Sequence, residues 1–283
     1  MFKIVKKKEL NDAVTLMEVE APFIAKKAQA GQFIIFRTDE TGERIPLTIA
    51  DYDREKGTIT IIFQKVGKST IKLGLMEEGD CILDFVGPLG KPTELDGIKN
   101  ACVIGGGVGC AIAYPQAKAL HTMGIPVDMI AGFRSKDIVI LEDEMRSATD
   151  NLYITTDDGS YAEKGFVTDK LRSLLESGKK YDTVIAIGPV PMMKFVSLVT
   201  KEYDIKTIVS LNAIMIDGTG MCGGCRVTVG GETKFACVDG PDFDGHLVDY
   251  DELMNRNTLY KEQEQEEKNH ICRLLAGGVR HDG

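Results

Sequence analysis

Residues Asn100–Gly124, NACVIGGGVGCAIAYPQAKALHTMG, decide the fold of this chain. The first part is a short apolar run that ends in glycines. The second part carries apolar residues at helical spacing. A buried strand that turns through glycine into a helix is the opening unit of a parallel α/β sheet. The pattern then repeats toward the C-terminus. PVDMIAGFR (126–134) reads as a strand and DIVILEDEMRSAT (137–149) as a helix. LYITTDDG (152–159) reads as a strand and GFVTDKLRSLLESG (165–178) as a helix. YDTVIAIG (181–188) is a strand, VPMMKFVSLVTKEY (190–203) a helix, and KTIVSLN (206–212) a last strand. Five strands alternating with four helices predict a parallel sheet covered on both faces.

Before Lys99 the texture differs. AVTLMEVEAP, GQFIIFRTDE, RIPLTIADYD, GTITIIFQKVG and GDCILDFVGPLG are β-branched or aromatic runs punctuated by Gly, Pro and Asp. Their spacing predicts an antiparallel barrel or sandwich, with one helical piece, STIKLGLMEEG. The basic run KIVKKK (3–8) reads as a solvated strand face. After Asn212 come a glycine-rich loop with Cys222, Cys225 and Cys237, and then an acidic, helix-prone tail. The division expected is 1–98, 99–212 and 213–283.

Composition narrows the function. The chain has 283 residues, 43% of them hydrophobic, which suffices for two domains with real cores. A formal net charge of −9 argues against a non-specific nucleic-acid binder. No stretch reaches the roughly 18–20 apolar residues of a membrane helix, and the N-terminus lacks a signal-type apolar core, so a cytoplasmic protein is expected. Seven cysteines, three in one cluster, favour metal ligation over disulfides in a reducing compartment. Cys81, Cys102 and Cys110 sit in apolar runs and read as core residues; Cys272 lies in the charged tail.

Three predicted βα loops leave one sheet edge. The first holds Gly105, Gly106, Gly107, Val108 and Gly109; the second is TTDDGSYAEKG; the third is IGPVPMM. Ligands of open α/β sheets bind at that edge, where helix N-termini present free N–H groups and glycine lets backbone approach a pyrophosphate. The glycine spacing is not G-x-G-x-x-G, and a tight turn without a ligand is the plain alternative. Arg134, after the second strand, can meet a 2′-phosphate or pair with a nearby acid. In the first half, Arg44 in RIPLTI and Gly67, Ser69 and Thr70 in VGKSTIKL together describe a pyrophosphate held by an arginine and a helix N-terminus. Singly, Ser69 or Thr70 reads as a helix cap and Arg44 as a surface charge.

In this order, RIPLT, VGKST, GPLGKP, IGGGVGCAIAYP, TTDDGSYAEKGFVTD, IGPVPMM and the cysteine loop resemble the ferredoxin–NADP reductase superfamily, in its branch of dihydroorotate dehydrogenase electron-transfer subunits. The resemblance reaches to about Tyr250. It implies an FAD-binding β-barrel, an NAD(H)-binding α/β domain and a C-terminal [2Fe-2S] loop. On the matching positions, Arg44, Pro46, Leu47 and Thr48 would touch the flavin and its phosphate, and Gly67, Ser69 and Thr70 would hold the pyrophosphate. Gly105 to Gly109, Asp157, Gly159, Gly188 and Pro189 would line the nicotinamide-nucleotide site.

Two positions depart from the family pattern. Ile187 stands where many reductases of the superfamily carry a cysteine, which leaves no thiol beside hydride transfer. The branch's cluster loop reads Cys-x4-Cys-x2-Cys-x(n)-Cys, whereas this chain reads Asp-x4-Cys-x2-Cys-x11-Cys, with Asp217 at its head. A carboxylate carries the charge of a thiolate and suits ferric iron, so Asp217 is the expected fourth ligand. The alternatives are an aspartate that caps a turn, and a zinc site of the same four residues. The aspartate resembles the small subunits of NADH-dependent reduced ferredoxin:NADP oxidoreductases. That resemblance implies a larger flavoprotein partner that binds NADP(H) and a second FAD and exchanges electrons with ferredoxin by flavin-based bifurcation. A dihydroorotate dehydrogenase subunit and a zinc-stapled nucleotide-binding regulatory module are the rival readings.

Overall fold

The computed structural model describes residues 1–277. The end of the tail, 278–283, lies outside the described residues, and with it the end of the third expected segment. The first half is one seven-stranded antiparallel sheet. Its strands are β1 (Phe2–Glu9), β2 (Val14–Glu20), β3 (Phe33–Arg37), β4 (Ile45–Asp53), β5 (Thr58–Gln64), β6 (Cys81–Ile82) and β7 (Asp84–Leu89). The spatial order is β6-β1-β2-β5-β4-β3-β7. The two edges, β6 and β7, are separated in sequence by Leu83 alone, so the sheet curls until one kinked strand serves both ends. That makes a nearly closed barrel, which leaves little free strand edge. Two helices belong to it: α1 (Pro22–Ala25) and α2 (Lys68–Leu75).

Alternation explains the barrel. In β2 and β5, apolar side chains such as Met17, Val19, Ile59, Ile61 and Phe63 point into one cluster with Phe36, Phe85 and Leu73. KIVKKK forms most of β1: Ile4 is buried, and Lys6 faces Glu18 across the ladder at 2.8 Å. Cys81 corrects the expectation that it is a core residue. It is exposed, because β6 turns Ile82 and not Cys81 inward; Cys102 and Cys110 are buried as expected.

The second half holds β8 (Ala101–Gly106), α3 (Gly109–Thr122), β9 (Val127–Phe133), α4 (Glu142–Ser147), β10 (Asn151–Thr156), β11 (Glu163–Lys164), α5 (Val167–Glu176), β12 (Thr183–Ile187), α6 (Val190–Glu202) and β13 (Lys206–Ser210). The order β11-β10-β9-β8-β12-β13-β16 is parallel apart from β16 (Asp242–Asp244), the last edge strand. The five expected strands are present, and two short ones extend them. Strand order reverses between β8 and β12, which places the ligand crevice of such a sheet at the loops after those two strands. One expectation is corrected. The helix read over 137–149 is a 3₁₀ turn, Lys136–Ile138, followed by α4 alone. Leu141 at its N-cap has φ +56°, a left-handed conformation that no α-helix continues through.

The segment after Asn212 builds the hairpin β14 (Arg226–Val229) and β15 (Glu232–Phe235), then β16 (Asp242–Asp244), α7 (Tyr250–Arg256) and α8 (Lys261–Gly277). Its side chains share a core with α5, α6 and two barrel residues, Phe33 and Ile35. Helix α8 reaches the barrel through Lys68–Glu267, an ion pair of 2.5 Å. Among the described residues, no helix is long and apolar enough to cross a membrane.

Candidate functional site

The residues expected on the flavin side cluster where β4 begins and α2 starts. Pro46, Leu47 and Thr48 lie on β4, paired with Ile35, Ile34 and Phe33 of β3. Arg44 precedes the strand and is half-buried; its Nε donates to the carbonyl of Ile216 at 2.8 Å. Among the described residues, no protein group takes its terminal Nη atoms. Gly67 is the N-cap of α2, with open space where a Cβ would stand. Thr70 does the capping: its hydroxyl accepts from the N–H groups of Val66 and Gly67, each at 3.1 Å. Ser69 Oγ donates to Glu43 at 3.0 Å, and Lys68 holds Glu267. The first turn of α2 therefore holds two carboxylates through the side chains of Ser69 and Lys68. Glu43, Lys68 and Glu267 were not singled out from the sequence. Glu43 sits beside Arg44, but nothing in the chain order ties Glu267 to this helix.

The glycine turn has two kinds of glycine. Gly105, Gly106, Gly109 and Gly188 permit packing. A Cβ on Gly109 would stand 2.5 Å from the Ile187 carbonyl oxygen, one on Gly105 2.7 Å from Cys110 Cα, one on Gly188 2.8 Å from Met192 Cε, and one on Gly106 would strike Met192 Sδ. Gly107 differs. It has φ +57°, donates to the Gly132 carbonyl at 2.8 Å, and faces open space. Next to it, Val108 is the N-cap of α3. Pro189 is exposed at the start of α6, so the loops after β8 and β12 lie side by side at the reversal point. Asp157 and Gly159 follow β10; Asp157 N donates to the Phe133 carbonyl at 3.0 Å. Arg134 is exposed and makes no ion pair among the described residues, so the acid partner weighed from the sequence is not there.

The cysteine loop is tighter than its exposure suggests. Cys225 and Cys237 are buried, and the Cys225 thiol donates to Cys237 Sγ at 3.2 Å. Burial first, then the Cys225 contact, pushes the Cys237 thiol up to about 12. A buried thiol gives up its proton readily only where a cation takes its place. Cys222 is exposed and its pKa is lowered, first by the Gly224 N–H, which donates to its sulfur at 3.4 Å, and then by the backbone of Asp217 and Ile216. Cys237 N donates to Cys225 Sγ at 3.4 Å. Sulfurs ringed by amide donors suit a cluster that carries negative charge.

Asp217 caps this loop. Its carboxylate accepts from Thr219 Oγ1 at 2.6 Å, Thr219 N at 3.1 Å and Met221 N at 2.9 Å. The Thr219 hydroxyl, its amide and further loop amides hold its pKa below the ordinary range, so the carboxylate is ionised. Its charge opposes the lowering at Cys222 and adds slightly to the rise at Cys237, which puts it in the same electrostatic neighbourhood. Among the described residues, no three metal-ligating side chains converge on one point; Cys225 and Cys237 are brought together, while Cys222 and Asp217 stand at the outer side. The hairpin that carries the loop was missed from the sequence. Its signal is Gly230-Gly231, both with φ near +60° to +80°, between β-branched residues.

Residues 212–249 match the model of the iron-sulfur cluster binding domain of dihydroorotate dehydrogenase B. An uncharacterized protein of the adh 3′ region of Clostridium beijerinckii is 59% identical over 93% of this chain and 92% of its own length. A dihydroorotate dehydrogenase B (NAD(+)) electron transfer subunit homolog of Thermotoga maritima is 48% identical over 93% of each chain. The chain belongs to the dihydroorotate dehydrogenase B electron-transfer subunit family. The subunit is thus an NAD(H)-linked oxidoreductase component of a heteromeric enzyme, with FAD and an iron–sulfur cluster as its cofactors. Among solved structures, a chain of the NADH-dependent reduced ferredoxin–NADP oxidoreductase, studied for flavin-based electron bifurcation, superposes with TM-score 0.91. It is 46% identical, over 96% of this subunit and 98% of that chain.

Proposed function

We propose that the subunit is the NAD(H)-side component of an electron-bifurcating NADH-dependent ferredoxin:NADP oxidoreductase. The observation that carries this reading is Asp217, an ionised carboxylate at the head of the cluster loop where the family pattern places a cysteine. The high similarity to a chain of such an oxidoreductase supports it. In the division of labour proposed, 1–98 holds FAD, 99–212 holds NAD(H), and 213–283 holds a [2Fe-2S] centre and meets the partner.

The roles follow from placement. Arg44 and the first turn of α2, with Gly67, Ser69 and Thr70, receive the flavin's pyrophosphate; Pro46, Leu47 and Thr48 support its ring. Gly107 and the N-termini of α3 and α6, with Gly105, Gly106, Val108, Gly109, Gly188 and Pro189, receive the dinucleotide. Asp157, Gly159 and Arg134 border it. Asp217, Cys222, Cys225 and Cys237 are the proposed cluster ligands. FAD, when bound, takes or gives a hydride pair and passes electrons singly, so it joins a two-electron carrier to a one-electron centre. No side chain need act as general acid or base.

The partner proposed is a larger flavoprotein that binds NADP(H) and exchanges electrons with ferredoxin. The family name favours a second reading, in which the partner is a dihydroorotate-oxidising subunit. Isolation of the native complex through a tag on this subunit separates them. Co-purification of a larger flavoprotein with NADPH-dependent ferredoxin reduction is expected. Dihydroorotate oxidation by the complex would overturn the bifurcation reading. A strong preference of this subunit for NADPH over NADH would remove it from the NAD(H) side.

A further inference from the structure

One side chain ties the barrel to the cluster loop. Arg44 Nε donates to the Ile216 carbonyl at 2.8 Å, across a sequence separation of 172 residues. That carbonyl belongs to the peptide group that leads into Asp217, whose carboxylate caps the loop through Thr219 and Met221. At the next residue the loop is pressed on the barrel. Gly218, with φ +82°, lies so close that a Cβ would come 2.6 Å from Ile35 Cδ1 and 2.9 Å from Leu89 Cδ1. The guanidinium thus has a forked end free for an anion while its Nε stays on the loop.

We propose that Arg44 is a positioning residue for the iron–sulfur centre: from the barrel it fixes the Ile216–Asp217 peptide group and with it the Asp217 carboxylate at the head of the cluster loop. This rests on the cluster reading of the loop given above. Arg44 then serves two cofactors through different nitrogens, and the barrel edge and the cluster loop are set as one unit.

The test compares full-length wild type, Arg44→Ala and Arg44→Lys, purified anaerobically. On each sample, iron and FAD per chain, the rate of iron loss to a chelator, and the cluster midpoint potential by electron paramagnetic resonance titration are measured, before and after FAD is stripped. A charge-assisted hydrogen bond lost from one ligand's support should speed iron loss in Arg44→Ala about tenfold. The potential should fall, because the added electron loses a nearby cation. Arg44→Lys should recover part of the potential and less of the iron retention, since an ammonium lacks the planar fork. These differences should persist after FAD is stripped. Wild-type retention and potential in Arg44→Ala would overturn the proposal, as would a difference that vanishes with the flavin. Iron missing from wild type itself would instead overturn the cluster reading of the loop.

Discussion

Asp217 shows how a residue can serve two tasks with one charge. Its oxygens organise the loop through Thr219 and Met221, and in the proposed site the same ionised group would bind ferric iron. Asp217→Ala should therefore lose on both counts: the loop cap goes, and iron content per chain should drop or become labile to chelator. Asp217→Cys should keep a [2Fe-2S] centre with a changed midpoint potential, since a thiolate donates more charge to iron than a carboxylate does. Iron analysis and an electron paramagnetic resonance titration check both; unchanged signal and potential in both variants would remove Asp217 from the proposed ligand set. The sequence displayed this residue because ligand spacing is local, a matter of x4, x2 and x11. Arg44–Ile216 could not be read the same way. Its acceptor is a backbone carbonyl, which has no residue identity, and its partner lies 172 positions off.

At the level of strands and helices, the glycine turn separates packing from approach. Gly109 is surrounded: a methyl group there would meet the Ile187 oxygen at 2.5 Å and Gly188 Cα at 2.8 Å. Both are backbone, so α3 or the loop after β12 must shift. Gly109→Ala should cost about 1–3 kcal/mol, the usual range for overpacking, and should weaken NADH binding because the two loops of the crevice are pushed apart. Gly107→Ala meets no atom and pays only for its left-handed φ, about 1 kcal/mol. Thermal unfolding and NADH titration of the two variants give the ranking; a Gly107 variant less stable than the Gly109 variant would contradict it. Strong apolar periodicity made α3, α5, α6 and the parallel strands readable. The helix expected over 137–149 failed at Leu141. A leucine in left-handed geometry obeys its surroundings and not its propensity, so local pattern carries no sign of it.

The assembly of the whole chain was the least readable from sequence. The residues of β16, Asp-Phe-Asp, carry no strand signature, yet they pair with β13 and return the cluster segment to the α/β sheet. At that seam sits Asp242. Its Oδ2 accepts from Thr93 Oγ1 at 2.6 Å, where the chain leaves the barrel. Its buried Oδ1 has no partner among the described residues. Burial, opposed by Thr93 and Ser210, pushes this carboxyl up to about 6 from 3.8. A folded value above the unfolded one means that the native state holds the proton more tightly. The stability contributed is then fully present below about pH 4 and is lost as pH rises through about 6, by about 2–3 kcal/mol in all. Other carboxylates in the chain run the opposite way, among them Asp39 beside Thr41 and Lys72, so the raw pH profile of the wild type mixes signs. The difference between wild type and Asp242→Asn isolates the one group, because the amide keeps an oxygen for Thr93 and never ionises. The variant should gain on wild type across pH 4 to 6 and stay ahead above it, in urea unfolding of the full chain with cofactor content matched. A gap of equal size at pH 4.5 and pH 7.5 would mean that the seam carboxyl titrates as though exposed, and that barrel, sheet and cluster segment meet there without shutting out water.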